Sequence, residues 1–234
     1  MVVDKALQAT IRNDSAITAM RVKITRFAAL LFERRLFDIS GGNISARVGE
    51  HVCITPRYSG SQRQWQLNPE DVLVADLQRN ILDGDGELSR ETNAHFRLHQ
   101  EFGEHGTGVI HAHARNILVF AAMNQPMPVV LESYQKFGTV PVVEYAPAHT
   151  TDLAEHVVGG IRGNEARIRK QAAAVIAPWH GLFVMGKDLD AALDAVERLD
   201  NNAYIILMSQ LLRNNDMLNE QRQAFAQAAA KYKS

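Results

Sequence analysis

ISARVGEHVCIT, residues Ile44 to Thr55, contains two short β-like runs on either side of a Gly49-Glu50 turn. Ile44–Val48 and His51–Thr55 therefore read as a hairpin. A second pair follows the same logic: Ala172–Ala177 and Leu182–Met185 flank a bend at Trp179-His180-Gly181. Strands joined so closely must be antiparallel, because a parallel crossover needs a dozen or more residues. Val72–Asp76, Val109–Ala114, Pro128–Glu132 and Val140–Tyr145 are further strand-like runs, and Asp83-Gly84-Asp85-Gly86 is a turn.

Helical spacing of apolar residues marks Ile17 to Phe37, with Asp14 or Ser15 as N-cap. Helices are also expected over Arg90–Phe102, with Ser89 as cap, over Asn116–Met123, over Thr151–Ile161 and over Leu189–Leu212. The expectation is an α/β protein with a mixed, largely antiparallel sheet covered by helices. GxGxxG and GxxxxGK[ST] are both absent, so nothing points to a doubly wound nucleotide-binding fold.

The chain has 234 residues, 46% hydrophobic and 22% charged, which suits one domain over 1–234 with a full core. Its net charge of -1 offers no broad basic field for nucleic acid or anionic lipid. The only cysteine, Cys53, has no partner for an internal disulfide, which favours a reducing, cytoplasmic setting. The polar start MVVDKALQATIRNDS has no signal-peptide character, and no run has the roughly 18 apolar residues of a membrane span. Composition says nothing further about function; a small-molecule substrate is the expected partner.

Nine histidines are present. His51, His99 and His105 stand among polar neighbours and read as surface residues. His111 and His113 end an apolar run, and residues two apart in a strand share a face. Two buried imidazoles side by side need a common partner. Either they are hydrogen-bonded structural groups or they hold a divalent metal. His180, at the tip of a buried hairpin beside Gly181, is a third ligand candidate ahead of His149 and His156. Three histidines would leave coordination positions open, the pattern of catalytic rather than structural sites. Glu91 opens a helix and shares its face with His95, one turn on. By itself it reads equally as an acidic residue favoured by the helix dipole.

The segments GGNISARV, CITP, SRETNAHFRLH, GVIHAHARN and APWHGLFVMGKDLDAALDAVERLDNNAYIIL together resemble the class II aldolase/adducin family, from about Ser15 to Leu212. The resemblance implies a three-layer α/β/α sandwich around a largely antiparallel sheet, assembled as a homotetramer with active sites at subunit boundaries. It implies that His111, His113 and His180 bind Zn²⁺ or Mn²⁺ and that Glu91 is the catalytic acid/base. Sugar-phosphate members hold phosphate through positions that correspond to Asn43, a Ser/Thr-Gly for which Ser59-Gly60 is a displaced match, and a Ser-Ser pair. Here the pair is Ser89-Arg90. The family's tyrosine acid, supplied by a neighbouring subunit, has its nearest counterpart in Tyr134.

After Ile54-Thr55-Pro56 the loop is longer and more basic than the family's short turn, with Arg57, Tyr58, Arg63 and Trp65. Arginine suits carboxylates and the aromatic residues suit flat rings. These departures lead to the expectation of a decarboxylase acting on a hydroxylated aromatic or pyridine dicarboxylate, as in vitamin B6 degradation, with Arg57, Arg63 or Arg90 holding a second carboxylate. A sugar-phosphate aldolase or epimerase is the alternative, and a non-catalytic adducin-like interaction domain is a third.

Overall fold

The computed structural model describes residues 5–211. Seven strands form one sheet: β1 (Asn43–Val48), β2 (His51–Ile54), β3 (Leu73–Asp76), β4 (Ile81–Asp83), β5 (Gly108–Ala112), β6 (Ala172–Ala177) and β7 (Gly181–Gly186). Their order across the sheet is β4-β3-β2-β1-β5-β7-β6, and every neighbouring pair is antiparallel. Both expected hairpins are present, β1–β2 and β6–β7.

The helices are α1 (Lys5–Asn13), α2 (Ser15–Glu33), α3 (Ser59–Arg63), α4 (Thr92–Phe102), α5 (Ile117–Ala122), α6 (Thr151–Ile161), α7 (Glu165–Lys170) and α8 (Leu189–Leu211). Leu212, expected to end the last of these, and the opening residues 1–4 lie outside the described residues. Asp14 caps α2, its carboxylate accepting from the amides of Ala16 and Ile17. No helix among the described residues is long and apolar enough to cross a membrane.

Two cores separate the faces of the sheet. Ile44, Ala46, Ile110, Ala112 and Val184 pack against Ile24, Phe27 and Leu31 of α2 and Ala192 and Leu199 of α8. The alternate strand residues, Val109, Val175, Phe183 and Met185, pack against Leu98 and Phe102 of α4 and Leu153 and Val157 of α6. This makes the expected three layers. The period-2 alternation then fixes where polar residues point. Asn43 and Ser45 of β1 and His111 of β5 belong to the α4 side, and Asn43 lies directly opposite His111 in the ladder.

Two expectations change. Pro128–Glu132 and Val140–Tyr145 do not form a regular ladder; Met127 and Val140 exchange two backbone hydrogen bonds and the pairing stops. The residues between them coil as a 3-10 helix over Glu132–Phe137, and on the other side Ile176 donates to the Pro141 carbonyl and accepts from the Val143 amide, a single parallel bridge to β6. His99 is not a surface residue. It is fully buried, with His95 one turn earlier on the same inward face of α4. Its polar neighbours Gln100 and Glu101 occupy the outward face, so local polarity misleads where helical period decides.

His95 and His99 meet one hydroxyl: Ser45 Oγ lies 2.7 Å from His95 Nδ1 and 2.8 Å from His99 Nε2. Burial drives both imidazoles down to about 3, with His99 adding to the effect at His95 and Arg47 at His99, so both are neutral. One hydroxyl proton serves one ring, and the other ring must donate to the oxygen. This shared hydroxyl ties β1 to the helix whose start carries Glu91, while His95 Nε2 and His99 Nδ1 stay buried without a hydrogen-bond partner. Ser45→Ala is expected to lower stability by about 1–3 kcal/mol, as expected when two buried ring nitrogens lose their partner; urea denaturation against wild type measures it.

Candidate metal centre and its pocket

His111 sits in β5 and His113 just beyond its end, while His180 occupies the bend between β6 and β7. Pairing of β5 with β7 places His111 opposite Phe183, and the two rings stack at 4.3 Å. The strand partnership thus brings together three imidazoles from positions far apart in the chain. Each offers a ligand atom, and these atoms lie within 4.8 Å of one another.

Hydrogen bonds select which nitrogen each ring presents. His111 Nδ1 donates to the Leu182 carbonyl at 3.0 Å, which leaves Nε2 with a lone pair. His113 Nδ1 lies 3.2 Å from Asp38 Oδ2, and its Nε2 is buried with no hydrogen-bond partner. Metal-bound imidazoles show this arrangement, one nitrogen fixed by an acceptor and the other free for the ion. Nitrogens bonded to one Zn²⁺ at about 2.0–2.1 Å stand about 3–4 Å apart, so modest side-chain movement closes the set. The three residues therefore fit a divalent cation.

Glycines permit the approach. A Cβ at Gly41 would lie 2.0 Å from the His113 ring, and one at Gly181 would lie 3.1 Å from both His111 Cε1 and His113 Cδ2. Gly41 also donates its amide to Asp38 Oδ1 at 2.6 Å, in the loop that leads to Asn43. Burial opposes ionisation of Asp38, but the Ser40 hydroxyl, the His113 ring and the Ser40 and Gly41 amides outweigh it and hold the carboxyl below its usual range.

Glu91 stands at the N-cap of α4 and is 8% exposed. Its Oε1 lies 3.6 Å from His180 Nε2, and its Oε2 is buried without a partner. Burial raises this carboxyl to about 7, against the opposing charge of Arg90. Burial, followed by the neighbouring His113, lowers His180 to about 4. Between those values both groups are neutral, so their contact is not an ion pair. Burial and the neighbouring imidazoles of His180 and His113 also push His111 well down. The centre gathers bases stripped of protons beside an acid that retains one.

These groups line a cavity of about 400 Å³ that also contains Asn43, Arg57, Tyr58, Ser59, Trp65, Ser89 and Arg90. The structure thus brings together nearly all the residues singled out in the sequence. Ser59 is buried and donates to the Pro56 carbonyl at 2.6 Å, while Ser89 Oγ accepts from the Glu91 amide at 3.1 Å. Arg90 is exposed at the mouth, which it shares with an adjoining cavity of about 750 Å³.

Several basic and aromatic residues are already engaged. Arg57 pairs with Glu87 at 2.7 Å and lies over the Tyr58 ring. Arg63 pairs with Asp71 and is not part of the cavity wall. Trp65 is buried against Phe37 and donates its indole N–H to the Asp38 carbonyl, so its faces do not form an open stacking slot. Tyr134 does not join the centre within this chain. Its hydroxyl accepts from Asn201 at 2.7 Å, and it lines a separate cavity with Asp194 and Arg198. Its segment, Glu132–Phe137, coils as a 3-10 helix against α8 rather than extending toward the histidines. His149 is an exposed loop residue, and His156 Nδ1 is bonded to the Glu144 carbonyl; neither belongs to the cluster. Asp38, missed in the sequence, had one local signal: an Asp three residues before a glycine pair's first member, a spacing suited to a carboxylate-capped turn.

The profile of the class II aldolase and adducin N-terminal domain matches residues 22–207. An L-fuculose phosphate aldolase from Methanococcus maripaludis is 30% identical over 185 residues, covering 79% of this chain and 92% of the relative. A methylthioribulose-1-phosphate dehydratase from Pseudomonas savastanoi pv. phaseolicola is 26% identical over 195 residues, covering 77% and 90%. A solved L-fuculose 1-phosphate aldolase superposes with a TM-score of 0.74 at 22% identity, over 91% of this chain and 97% of that one, which shows the shared fold.

The raised Glu91 carboxyl has a thermodynamic consequence in metal-free protein. Folded protein retains a proton that the unfolded chain releases, so its contribution is complete below about pH 4.5 and is lost as pH rises through about 7. Glu91→Gln should melt like wild type at pH 4.5 and be more stable at pH 8, by an amount on the order of 2–3 kcal/mol. Chelator-treated proteins compared by denaturation at both pH values provide the check.

Proposed function

The chain belongs to the class II aldolase/adducin family, and from that premise we propose that it is a divalent-metal-dependent lyase that cleaves a phosphorylated ketose by a retro-aldol reaction. The observation that carries this reading is the convergence of His111, His113 and His180 beside a buried, protonated Glu91 in one cavity. The curated relatives matching most of the chain act on sugar phosphates by name, which favours this substrate class over the aromatic dicarboxylate. The engagement of Arg63 and Trp65 with other residues points the same way.

His111, His113 and His180 would hold the cation, and three imidazole nitrogens favour Zn²⁺ over Mn²⁺. When bound, such an ion supplies Lewis-acid stabilisation of negative charge that develops on substrate oxygens. The remaining work falls to the chain. Breaking the C–C bond requires removal of a proton from the hydroxyl on one side and delivery of a proton to carbon on the other. Glu91 is placed for the transfer at carbon: its free Oε2 faces no competing protein donor, and burial keeps its affinity for a proton near neutrality. A cation alongside would draw that affinity down, so burial must persist in the loaded site.

Asn43, Ser59 and Ser89 form the polar wall of the same cavity, with Arg90 at its mouth. In this reading they orient the phosphate, and Arg90 supplies the positive charge that a second serine lacks. The wall and the Glu91 carboxyl enter through adjacent residues, Ser89 to Glu91, so substrate orientation and proton position are set by one turn.

The test is Zn²⁺-reconstituted protein with a panel of ketose 1-phosphates, including L-fuculose 1-phosphate, read by release of dihydroxyacetone phosphate and an aldehyde. Cleavage of at least one is expected, with kcat about 100-fold or more lower for Glu91→Gln. Failure on the panel together with CO₂ release from a hydroxypyridine dicarboxylate would reverse the choice of substrate.

A further inference from the structure

We propose that Asp38 is a positioning residue for the metal centre: its carboxylate fixes the ring tautomer of His113 and locks that ligand to the two loops that form the substrate cavity. The proposal rests on the metal-site reading above, and it assigns to Asp38 a role that the histidine cluster alone does not reveal.

The two carboxylate oxygens have different duties. Oδ1 accepts from the Ser40 amide at 2.7 Å, the Ser40 hydroxyl at 2.8 Å and the Gly41 amide at 2.6 Å. Oδ2 is left facing His113 Nδ1 at 3.2 Å. An ionised carboxylate only accepts, so the proton of a neutral His113 must reside on Nδ1. The lone pair is then on Nε2, the buried nitrogen with no other partner. A metal ion requires that lone pair, and the opposite tautomer would present an N–H.

The same residue reaches two walls of the cavity. Its Oδ1 holds the amides at Ser40 and Gly41, immediately before Gly42 and Asn43. Its backbone carbonyl accepts the Trp65 indole N–H at 2.8 Å, which secures the end of the loop carrying Ser59. Gly41 has to remain without a side chain because the His113 ring occupies the space a Cβ would take. One residue therefore joins a metal ligand, the asparagine loop and the serine loop.

Asparagine at this position separates the electronic role from the structural one. Its single oxygen can satisfy either the three donors at Ser40 and Gly41 or the one at His113. Three donors outweigh one, so the oxygen stays with the loop and the amide NH₂ turns toward His113 Nδ1. Nδ1 must then accept, which moves the ring proton to Nε2 and blocks the ligand position. Replacement of a histidine's carboxylate partner by an amide imposes the wrong tautomer in this way.

The experiment has two readouts on wild type and Asp38→Asn. Imidazole nitrogen–proton correlation spectra of the chelator-treated proteins report the His113 tautomer. Co²⁺ titration, followed by visible absorption against a competing chelator, reports affinity. The expected result is an Nδ1–H tautomer in wild type, an Nε2–H tautomer in Asp38→Asn, and Co²⁺ affinity about 10- to 100-fold weaker in the variant with little change in melting temperature. An Nε2–H tautomer in metal-free wild type would overturn the proposal, whether or not the variant folds. So would unchanged Co²⁺ affinity in a folded Asp38→Asn protein. A wild type that takes up no Co²⁺ would instead overturn the metal reading, while the spectra would still decide the Asp38–His113 pairing.

Discussion

Antiparallel registration of β1, β5 and β7 is the constraint from which the site follows. It places Asn43 across from His111, and His111 across from Phe183, in one row near the end of the sheet. The β6–β7 bend returns His180 to that end, and His113 follows two residues after His111. A slip of one residue in the β5 pairing would turn His111 toward the α2 and α8 core and bring Ile110 to the pocket. Burial on both faces makes that slip costly, because Ile110 and Val109 pack into opposite layers. The hydrophobic pattern that builds the sandwich therefore also aims the ligands.

Burial then sets the protonation states. His111 and His180 are driven toward neutrality, the state in which imidazole has a lone pair to offer. Glu91, in the same pocket, is driven toward the acid form. Both effects have one physical source: water is removed from groups that would otherwise be charged. Free nitrogen and oxygen positions at His113 and Glu91 complete the pattern. Polar groups are costly to bury unsatisfied, so a centre of this kind is suited to a ligand that supplies the missing partners.

Much of this was legible in the sequence. Hairpin-length connections fixed antiparallel pairing, and the two-residue spacing of His111 and His113 fixed their common face. Its place at a buried hairpin bend beside Gly181 made His180 the third candidate, and resemblance across separated motifs added Glu91 to the same site, which spacing alone could not do. Other features needed three dimensions. His99 stood among polar letters, and only the face of α4 showed it to be buried with Ser45. Trp65 and Arg63 looked available for an aromatic acid, but their partners Asp38 and Asp71 lie at other points of the chain. Met127 pairs with Val140 and Val142 with Ile176 through isolated bridges only, because a 3-10 turn over Glu132–Phe137 intervenes, which local β-propensity does not weigh. Asp38 offered only the spacing of a capped turn, because its role toward His113 comes from a contact 75 positions away.

The central claim is that three imidazoles converge on one cation, and X-ray absorption at the metal edge of the Zn²⁺-reconstituted protein addresses it most directly. The account predicts one Zn²⁺ per chain with three histidine nitrogens at about 2.0–2.1 Å and oxygen completing the shell, and loss of bound metal in His180→Ala. A shell without three imidazoles, or full retention of the same shell in His180→Ala, would contradict it.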